Sequence, residues 1–116
     1  MLEGILGNKS AAMALLHLYH YGEIHASAVA SDYGVSITPI KKQFERFEEA
    51  GVIISREVGK TRPYQFNLKN PLTKPLMNLI KVVYDNLKVS EKEKIFNSRR
   101  KPRRQGKPVI DGTLND

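Results

Sequence analysis

The sequence predicts a mainly α-helical domain with one small β-hairpin, followed by a basic segment. Apolar residues recur at helical spacing in four stretches, and glycine or proline residues separate these stretches. Between the third and fourth stretches the pattern changes to alternation, which is typical of a hairpin. A chain of 116 residues has room for one hydrophobic core. We therefore expect a folded domain over 1–89 and a disordered, flexible basic tail over 90–116.

Three helices are predicted in the first half of the chain. Apolar spacing places the first over 8–21, ending at Gly22, and the second over 25–33, ending at Gly34. Glycine ends a helix readily because it adopts positive φ without strain. The third helix is predicted over 36–50.

The third helix has a buried stripe and a polar face. Ser36 is a good N-cap residue, and Pro39 lies in the first turn, where its missing N–H costs no hydrogen bond. Ile40, Phe44 and Phe47 form the apolar stripe. The opposite face carries Thr38, Lys42, Arg46 and Glu49, with Lys41 and Gln43 on its flanks.

A hairpin and a last helix complete the predicted domain. Alternating residues over 52–58 and 61–68 surround the turn Gly59–Lys60. On the second strand, Tyr64, Phe66 and Leu68 share the face that we expect to pack on the helices. A helix then begins after Asn70–Pro71, and its apolar stripe consists of Leu72, Leu76, Leu79, Ile80, Val83 and Leu87.

Positive charge is concentrated near the C-terminal end. The chain has 19 Lys and Arg against 12 Asp and Glu, a net charge of +7. More than half of that surplus lies in 89–116, chiefly in Arg99, Arg100, Lys101, Arg103, Arg104 and Lys107. Such a cluster favours a polyanionic partner, nucleic acid above all, although a solvated tail that aids solubility is the alternative.

Several classes of function are not expected. Cysteine is absent, no apolar run is long enough to span a membrane, and the first residues do not resemble a secretory signal, so we expect an intracellular domain. No motif of a known catalytic site is present, so we predict no enzyme and no cofactor. His17 and His20 have the spacing of a metal-binding pair, but we interpret them as partly exposed surface or interface residues.

The order of these elements resembles that of winged-helix transcriptional regulators. The string SAVASDYGVSITPIKKQFERFEEAGVI is similar to their helix-turn-helix, REVGKTRPYQFNL to their wing, and NPLTKPLMNLI to the segment that follows the wing in regulators of the ArsR/MarR type. The resemblance covers roughly 5–88. It implies a sequence-specific regulator that binds double-stranded DNA, most simply a repressor, but without cysteine it does not imply metal sensing.

The resemblance also implies where DNA is contacted. The recognition helix, 36–50, would enter the major groove with its N-terminal part near the bases, and the wing, 55–63, would follow the backbone or minor groove. The predicted contact residues are Ser36, Thr38, Pro39, Lys41, Lys42, Gln43, Arg46, Arg56, Lys60, Thr61, Arg62, Arg99, Arg100, Lys101, Arg103 and Arg104.

Two helices predict a homodimer, because the first is apolar on two faces and the last has a wide apolar stripe. The predicted interface residues are Ala14, Leu18, Tyr21, Leu76, Met77, Leu79, Val83 and Tyr84. For the first helix, enclosure within its own domain is the alternative. Two other functions stay open at this point: a winged-helix module that binds protein or RNA, and a non-catalytic accessory subunit.

Overall fold

The computed structural model describes residues 2–96, and the predictions for 97–116 lie outside the described residues. Within 2–96 the chain forms six helices and three strands. In chain order these are α1 Leu2–Leu6, α2 Lys9–Tyr21, β1 Glu23–Ile24, α3 Ala26–Tyr33, α4 Ile37–Glu49, β2 Ile53–Ser55, β3 Tyr64–Phe66, α5 Thr73–Asp85 and α6 Val89–Ile95. The helices and the hairpin predicted from the sequence are confirmed to within a few residues.

Helix α2 is held at both ends by local contacts. Asn8 has extended backbone angles, and its side-chain oxygen accepts a hydrogen bond from the Ala11 amide at 2.6 Å. Gly22, with φ of 82°, ends the helix, and its amide donates to the Leu18 carbonyl at 2.8 Å. These contacts satisfy backbone groups that a helix end otherwise leaves without a partner.

Helices α3 and α4 form the helix-turn-helix. Gly34 is left-handed, with φ of 67°, and the next amide, that of Val35, donates to the Ala30 carbonyl at 3.0 Å. This closure turns the chain sharply, so that only three residues separate α3 from α4. Ser36 takes the N-cap conformation of α4, although its side chain makes no capping hydrogen bond.

The three strands form one antiparallel sheet in the order β1-β3-β2. Ile24 pairs with Tyr64, which also pairs with Ser55 across the hairpin. The sequence predicts no strand at Glu23–Ile24. Two residues are too few to show alternation, and their partner strand lies forty residues further along the chain.

Two helices were not predicted. Helix α1 packs on α2 through Leu2, which is buried. Helix α6 continues the chain past residue 89, where the sequence predicted the flexible tail to begin, and Phe96 packs against the core. Since the residues of α6 are mostly charged and none is fully buried, its apolar pattern is too weak to mark a helix.

Helix α2 is the centre of the core. It lies against α1, α3, α4 and α5, and Ala14 and Leu18 are 0% exposed inside this arrangement. Val83 of α5 is also buried there. The prediction that these three side chains form a dimer interface is therefore wrong, because other elements of the same chain cover them.

Two further predictions about burial are wrong. His17 was interpreted as partly exposed, but it is completely buried and its Nε2 lies 2.9 Å from Asp32 Oδ2 of α3. Leu68 was expected to pack on the helices with Tyr64 and Phe66, but β3 ends at Phe66 and Leu68 is exposed in the following turn.

Candidate nucleic-acid interface

Helix α4 presents a polar face to solvent. Ile40, Phe44 and Phe47 are buried, as predicted, and anchor the helix to the core. The Phe44 ring stacks on the Tyr64 ring of β3 with 4.3 Å between centroids and 5° between planes. Because α4 is fixed to both the helical core and the sheet, its outer face has a defined orientation relative to the wing.

The N-terminal half of this outer face is cationic and accessible. The exposed residues there are Ser36, Thr38, Pro39, Lys41 and Lys42. Within residues 2–96, neither Lys41 nor Lys42 takes part in an ion pair. Their ammonium groups are therefore available to an anionic ligand.

Gln43, on the flank of α4, has two polar neighbours. Its Oε1 accepts hydrogen bonds from Arg46 Nε at 2.9 Å and from Asn8 Nδ2 at 3.4 Å. The Arg46 guanidinium also lies over the ring of Phe47, 4.9 Å from its centroid. The N-terminus of α2 thus contacts α4 through a polar side chain, a link that the sequence did not predict.

The carboxylates lie in the C-terminal half of α4, and one of them turns toward the wing. Ser55 Oγ donates to Glu48 Oε2 at 2.6 Å, and Arg62 Nη1 donates to the same hydroxyl at 3.1 Å. Glu48 therefore connects α4 to the hairpin. Glu45 and Glu49 remain exposed at the end of the helix that is farther from its cationic half.

Tyr64 lies beneath this connection. Its side chain is buried against Phe44, and burial, followed by the nearby carboxylates of Glu48 and Glu45, raises the pKa of its phenol above the ordinary value. The phenol therefore stays neutral and contributes packing at neutral pH.

The wing is a narrow turn with three cations near its tip. Val58 and Thr61 form a bridge of two backbone hydrogen bonds around Gly59, whose φ is 61°, and Lys60. The Thr61 hydroxyl donates to the Val58 carbonyl at 2.8 Å and so reinforces the turn. Lys60 and Thr61 are exposed at the tip.

Two of the wing cations already have acidic partners. Arg56 pairs with Glu23 of β1, and Arg62 Nη2 lies 3.1 Å from Glu57 Oε2. Both pairs are exposed to solvent. Within residues 2–96, Lys60 is in no ion pair, so among the predicted wing residues it carries the least compensated charge.

An apolar face of α5 is also open to solvent. Leu72, Leu79 and Val82 are 64%, 36% and 58% exposed along one side of this helix. Of these three, only Leu79 was predicted to lie in a dimer interface; the predicted interface residues Tyr21, Leu76, Met77 and Tyr84 are half-buried.

Two other features, a metal site and a membrane-spanning helix, are absent from residues 2–96. No cluster of three or more His, Asp or Glu side chains with the geometry of a metal site occurs there. In the same range no helix has the length and apolar character needed to cross a membrane. Arg99, Arg100, Lys101, Arg103 and Arg104, predicted to contact DNA, lie outside the described residues.

No protein-family model matches the chain, and no curated protein is similar to it in sequence. Among solved structures, it is similar to a homodimeric winged helix-turn-helix DNA-binding domain from Mycobacterium bovis, described as a possible ArsR-family transcriptional regulator. The two share 24% sequence identity over 72% of this chain and 75% of the other, with a TM-score of 0.51. The antimony-specific transcriptional repressor AntR matches 63% of this chain and 65% of its own, with 16% identity and a TM-score of 0.49. The arrangement of α3, α4 and the β2–β3 hairpin, together with the first of these similarities, establishes a winged helix-turn-helix fold.

Proposed function

We propose that the chain is a sequence-specific DNA-binding transcriptional regulator that acts as a homodimer, most simply as a repressor. The observation that carries this proposal is the cationic, solvent-exposed N-terminal half of α4, which is fixed to the core by Ile40, Phe44 and Phe47. The M. bovis domain with the same fold is described as DNA-binding and homodimeric, which supports the proposal.

In this proposal α4 lies in the major groove. An α-helix fits that groove, and in helix-turn-helix proteins the N-terminal residues of the recognition helix contact base edges. Ser36, Thr38 and Pro39 would lie deepest, with Lys41 and Lys42 nearby to contact guanine acceptors or phosphates. Glu45 and Glu49 would remain near the mouth of the groove, where phosphate repulsion is weaker.

The wing and the basic segment supply electrostatic contacts. Lys60, Thr61, Arg56 and Arg62 would follow the phosphate backbone or enter the minor groove. The cations of 99–104 would bind phosphates without reading sequence. The chain would then act in the cytoplasm at the nucleoid, with a folded DNA-reading body, a basic segment and no catalytic site.

The proposed dimer uses the exposed face of α5. Leu72, Leu79 and Val82 leave apolar surface exposed on one side of α5. Exposed apolar patches of this kind often mark protein–protein interfaces. A two-fold dimer would bury this surface and place two α4 helices in successive major grooves, about one helical turn apart.

The test is binding to two duplexes, measured by fluorescence anisotropy at two salt concentrations. One duplex is the DNA directly upstream of the chain's own gene, and the other is unrelated in sequence. We expect the upstream duplex to be preferred by about 10³-fold or more at physiological salt, as specific regulators show. Equal binding that falls steeply with salt would argue for a non-specific nucleic-acid binder, and absence of binding would favour a protein-docking module.

A matched variant tests the role of the basic segment. Replacing Arg99, Arg100, Lys101, Arg103 and Arg104 with Gln should weaken binding to both duplexes and flatten the dependence of log Kd on log salt concentration. An unchanged salt slope would contradict the role proposed for this segment. Lys42→Ala, in contrast, should chiefly reduce the preference between duplexes.

A further inference from the structure

We propose that Gln43 is a positioning residue rather than a reader of bases, and that Arg46 is the side chain it holds ready for DNA. Asn8 completes the arrangement by holding Gln43 from the N-terminus of α2. The inference rests on the DNA-binding function proposed above, and it assigns different roles to two neighbouring residues of the recognition helix.

The first observation is that the Gln43 oxygen is already in use. Glutamine recognises adenine by accepting a hydrogen bond through its oxygen while donating one through its amide. Here Oε1 accepts from both Arg46 Nε and Asn8 Nδ2. A base contact through this oxygen would require both hydrogen bonds to break, so Gln43 is poorly arranged for adenine.

The second observation concerns the Arg46 guanidinium. Its Nε is fixed by Gln43, and its planar group lies over Phe47, whose ring is anchored in the core. Within residues 2–96 its two terminal nitrogens make no hydrogen bond. These nitrogens are the pair that binds guanine O6 and N7, or a phosphate, in a bidentate way.

Fixing the guanidinium in advance favours binding. A long, flexible side chain loses rotamer entropy when it is immobilised on a ligand. Because Gln43 and Phe47 already restrict Arg46 in the free protein, less entropy remains to be lost on contact with DNA.

The third observation is the double role of Asn8. Its Oδ1 caps α2 through the Ala11 amide, and its Nδ2 is directed to Gln43. A serine at this position retains capping ability but has no side-chain amide. Asn8→Ser therefore separates the contact to α4 from the stability of α2.

The experiment uses the full chain and a duplex that it selects from a random library, with Kd measured by anisotropy. The variants are Gln43→Met, Arg46→Met and the double variant, since methionine matches the length of glutamine and the aliphatic stem of arginine but neither donates nor accepts hydrogen bonds strongly. We expect Arg46→Met to weaken binding about tenfold and Gln43→Met about threefold. The double variant should bind no more weakly than Arg46→Met alone, because Gln43 acts through Arg46.

Two further measurements distinguish positioning from direct reading. After a second selection, Gln43→Met should retain the adenine preferences of the parent chain, whereas a base-reading glutamine would lose one of them. Asn8→Ser should weaken binding only while Gln43 is present, with the urea midpoint of unfolding nearly unchanged.

Two results would overturn the inference while leaving DNA binding intact. One is a double variant of Gln43 and Arg46 in which the affinity losses of the two single variants multiply, and the other is a lost adenine preference in Gln43→Met. Failure of the parent chain to select any duplex would instead overturn the proposed function, and the inference with it.

Discussion

His17 of α2 and Asp32 of α3 form a buried polar pair, with Nε2 and Oδ2 2.9 Å apart. Their side chains are 0% and 4% exposed. The imidazole also contacts the rings of Tyr33 and Phe96, each with centroids 4.9 Å away. This pair joins the central helix to the first helix of the helix-turn-helix, so it fixes the base from which α4 is presented.

Breaking this pair should destabilise the fold strongly. Asp32→Ala leaves a buried imidazole N–H without its acceptor, and we expect the free energy of unfolding to fall by about 2–4 kcal/mol. Asp32→Asn should cost less, because the amide oxygen can still accept the hydrogen bond. Urea unfolding followed by circular dichroism measures both.

A surface pair on α5 provides the control for Asp32→Ala. Lys81 and Asp85 are also in contact, but both are exposed, and Asp85→Asn should change stability little. Equal losses in Asp32→Ala and Asp85→Asn would contradict a structural role for burial at Asp32.

The stability of the fold should fall in mild acid because of His20. Its ring stacks on Phe96 with 4.0 Å between centroids, and its Nδ1 lies 2.8 Å from the Tyr84 hydroxyl. Burial, followed by repulsion from His17 and Lys92, lowers the pKa of His20 from 6.5 to about 4. The imidazole of His20 takes up a proton more readily in the unfolded chain than in the folded one. The contribution of neutral His20 to the free energy of unfolding is therefore complete above pH 6.5, falls as pH drops toward 4 and is constant below that.

The check is the urea midpoint across this pH range for the parent and for His20→Gln. Glutamine retains a polar partner for Tyr84 but does not titrate, so the variant should lose less stability than the parent between pH 6.5 and 4. Identical pH dependence in both proteins would show that the effect comes from other groups.

The sequence was most informative where the structure depends on residues that are close together along the chain. The stripe Ile40, Phe44 and Phe47 repeats at helical spacing, and Gly34 and Gly59 mark turns by their conformational freedom, so α4 and the hairpin could be predicted. Strand β1 has no such local signal. It exists because the backbone of β3 offers hydrogen bonds to Glu23 and Ile24.

Side-chain partners were the least predictable part of the candidate site. The residue type shows that Gln43 can donate and accept, but only the packing of α2 on α4 brings Asn8 to it. The same limit applies to Arg56, whose partner Glu23 lies 33 positions away. Periodicity also showed that α2 is apolar on two faces, but it could not show that the chain's own helices cover both.

Gly51, just after α4, should be sensitive to substitution. Its φ is +88°, and a Cβ there would lie 2.8 Å from Asn70 Nδ2. Asn70 is itself held, because its Oδ1 accepts from the Leu72 amide at 2.8 Å. We expect Gly51→Ala to lower the free energy of unfolding by more than the roughly 1–2 kcal/mol that a left-handed backbone alone imposes on alanine.

Gly59→Ala is the matched variant, since its φ is also positive but nothing lies within 4 Å of the added carbon. Thermal or urea unfolding of the two variants compares them directly. If Gly51→Ala costs no more than Gly59→Ala, Asn70 moves aside without loss and the steric argument fails.

Among the wing cations, Lys60 should contribute most to DNA affinity. Arg56 and Arg62 each have an acidic partner, which partly cancels the field they present to phosphate. Lys60→Ala should reduce the slope of log Kd against log salt concentration by about one, as expected for one lost phosphate contact. Arg56→Ala should reduce it less, because the Arg56 guanidinium is already paired with Glu23 and is less available to a phosphate. A larger change for Arg56→Ala would indicate that DNA displaces Glu23 and binds Arg56 directly.

Charge introduced on the exposed face of α5 should dissociate the proposed dimer. Val82 is 58% exposed beside Leu79, so Val82→Glu adds a carboxylate to this apolar surface without disturbing the core. At concentrations where the parent chain sediments as a dimer, Val82→Glu should sediment as a monomer in analytical ultracentrifugation. Lys74→Glu, at an exposed position on the opposite flank of the same helix from Leu72 and Leu79, controls for added negative charge and should remain dimeric. Because a monomer reads one half-site, Val82→Glu should also bind a two-half-site duplex less tightly while leaving the affinity for a single half-site unchanged. A Val82→Glu protein that still sediments as a dimer would place the interface elsewhere on the molecule.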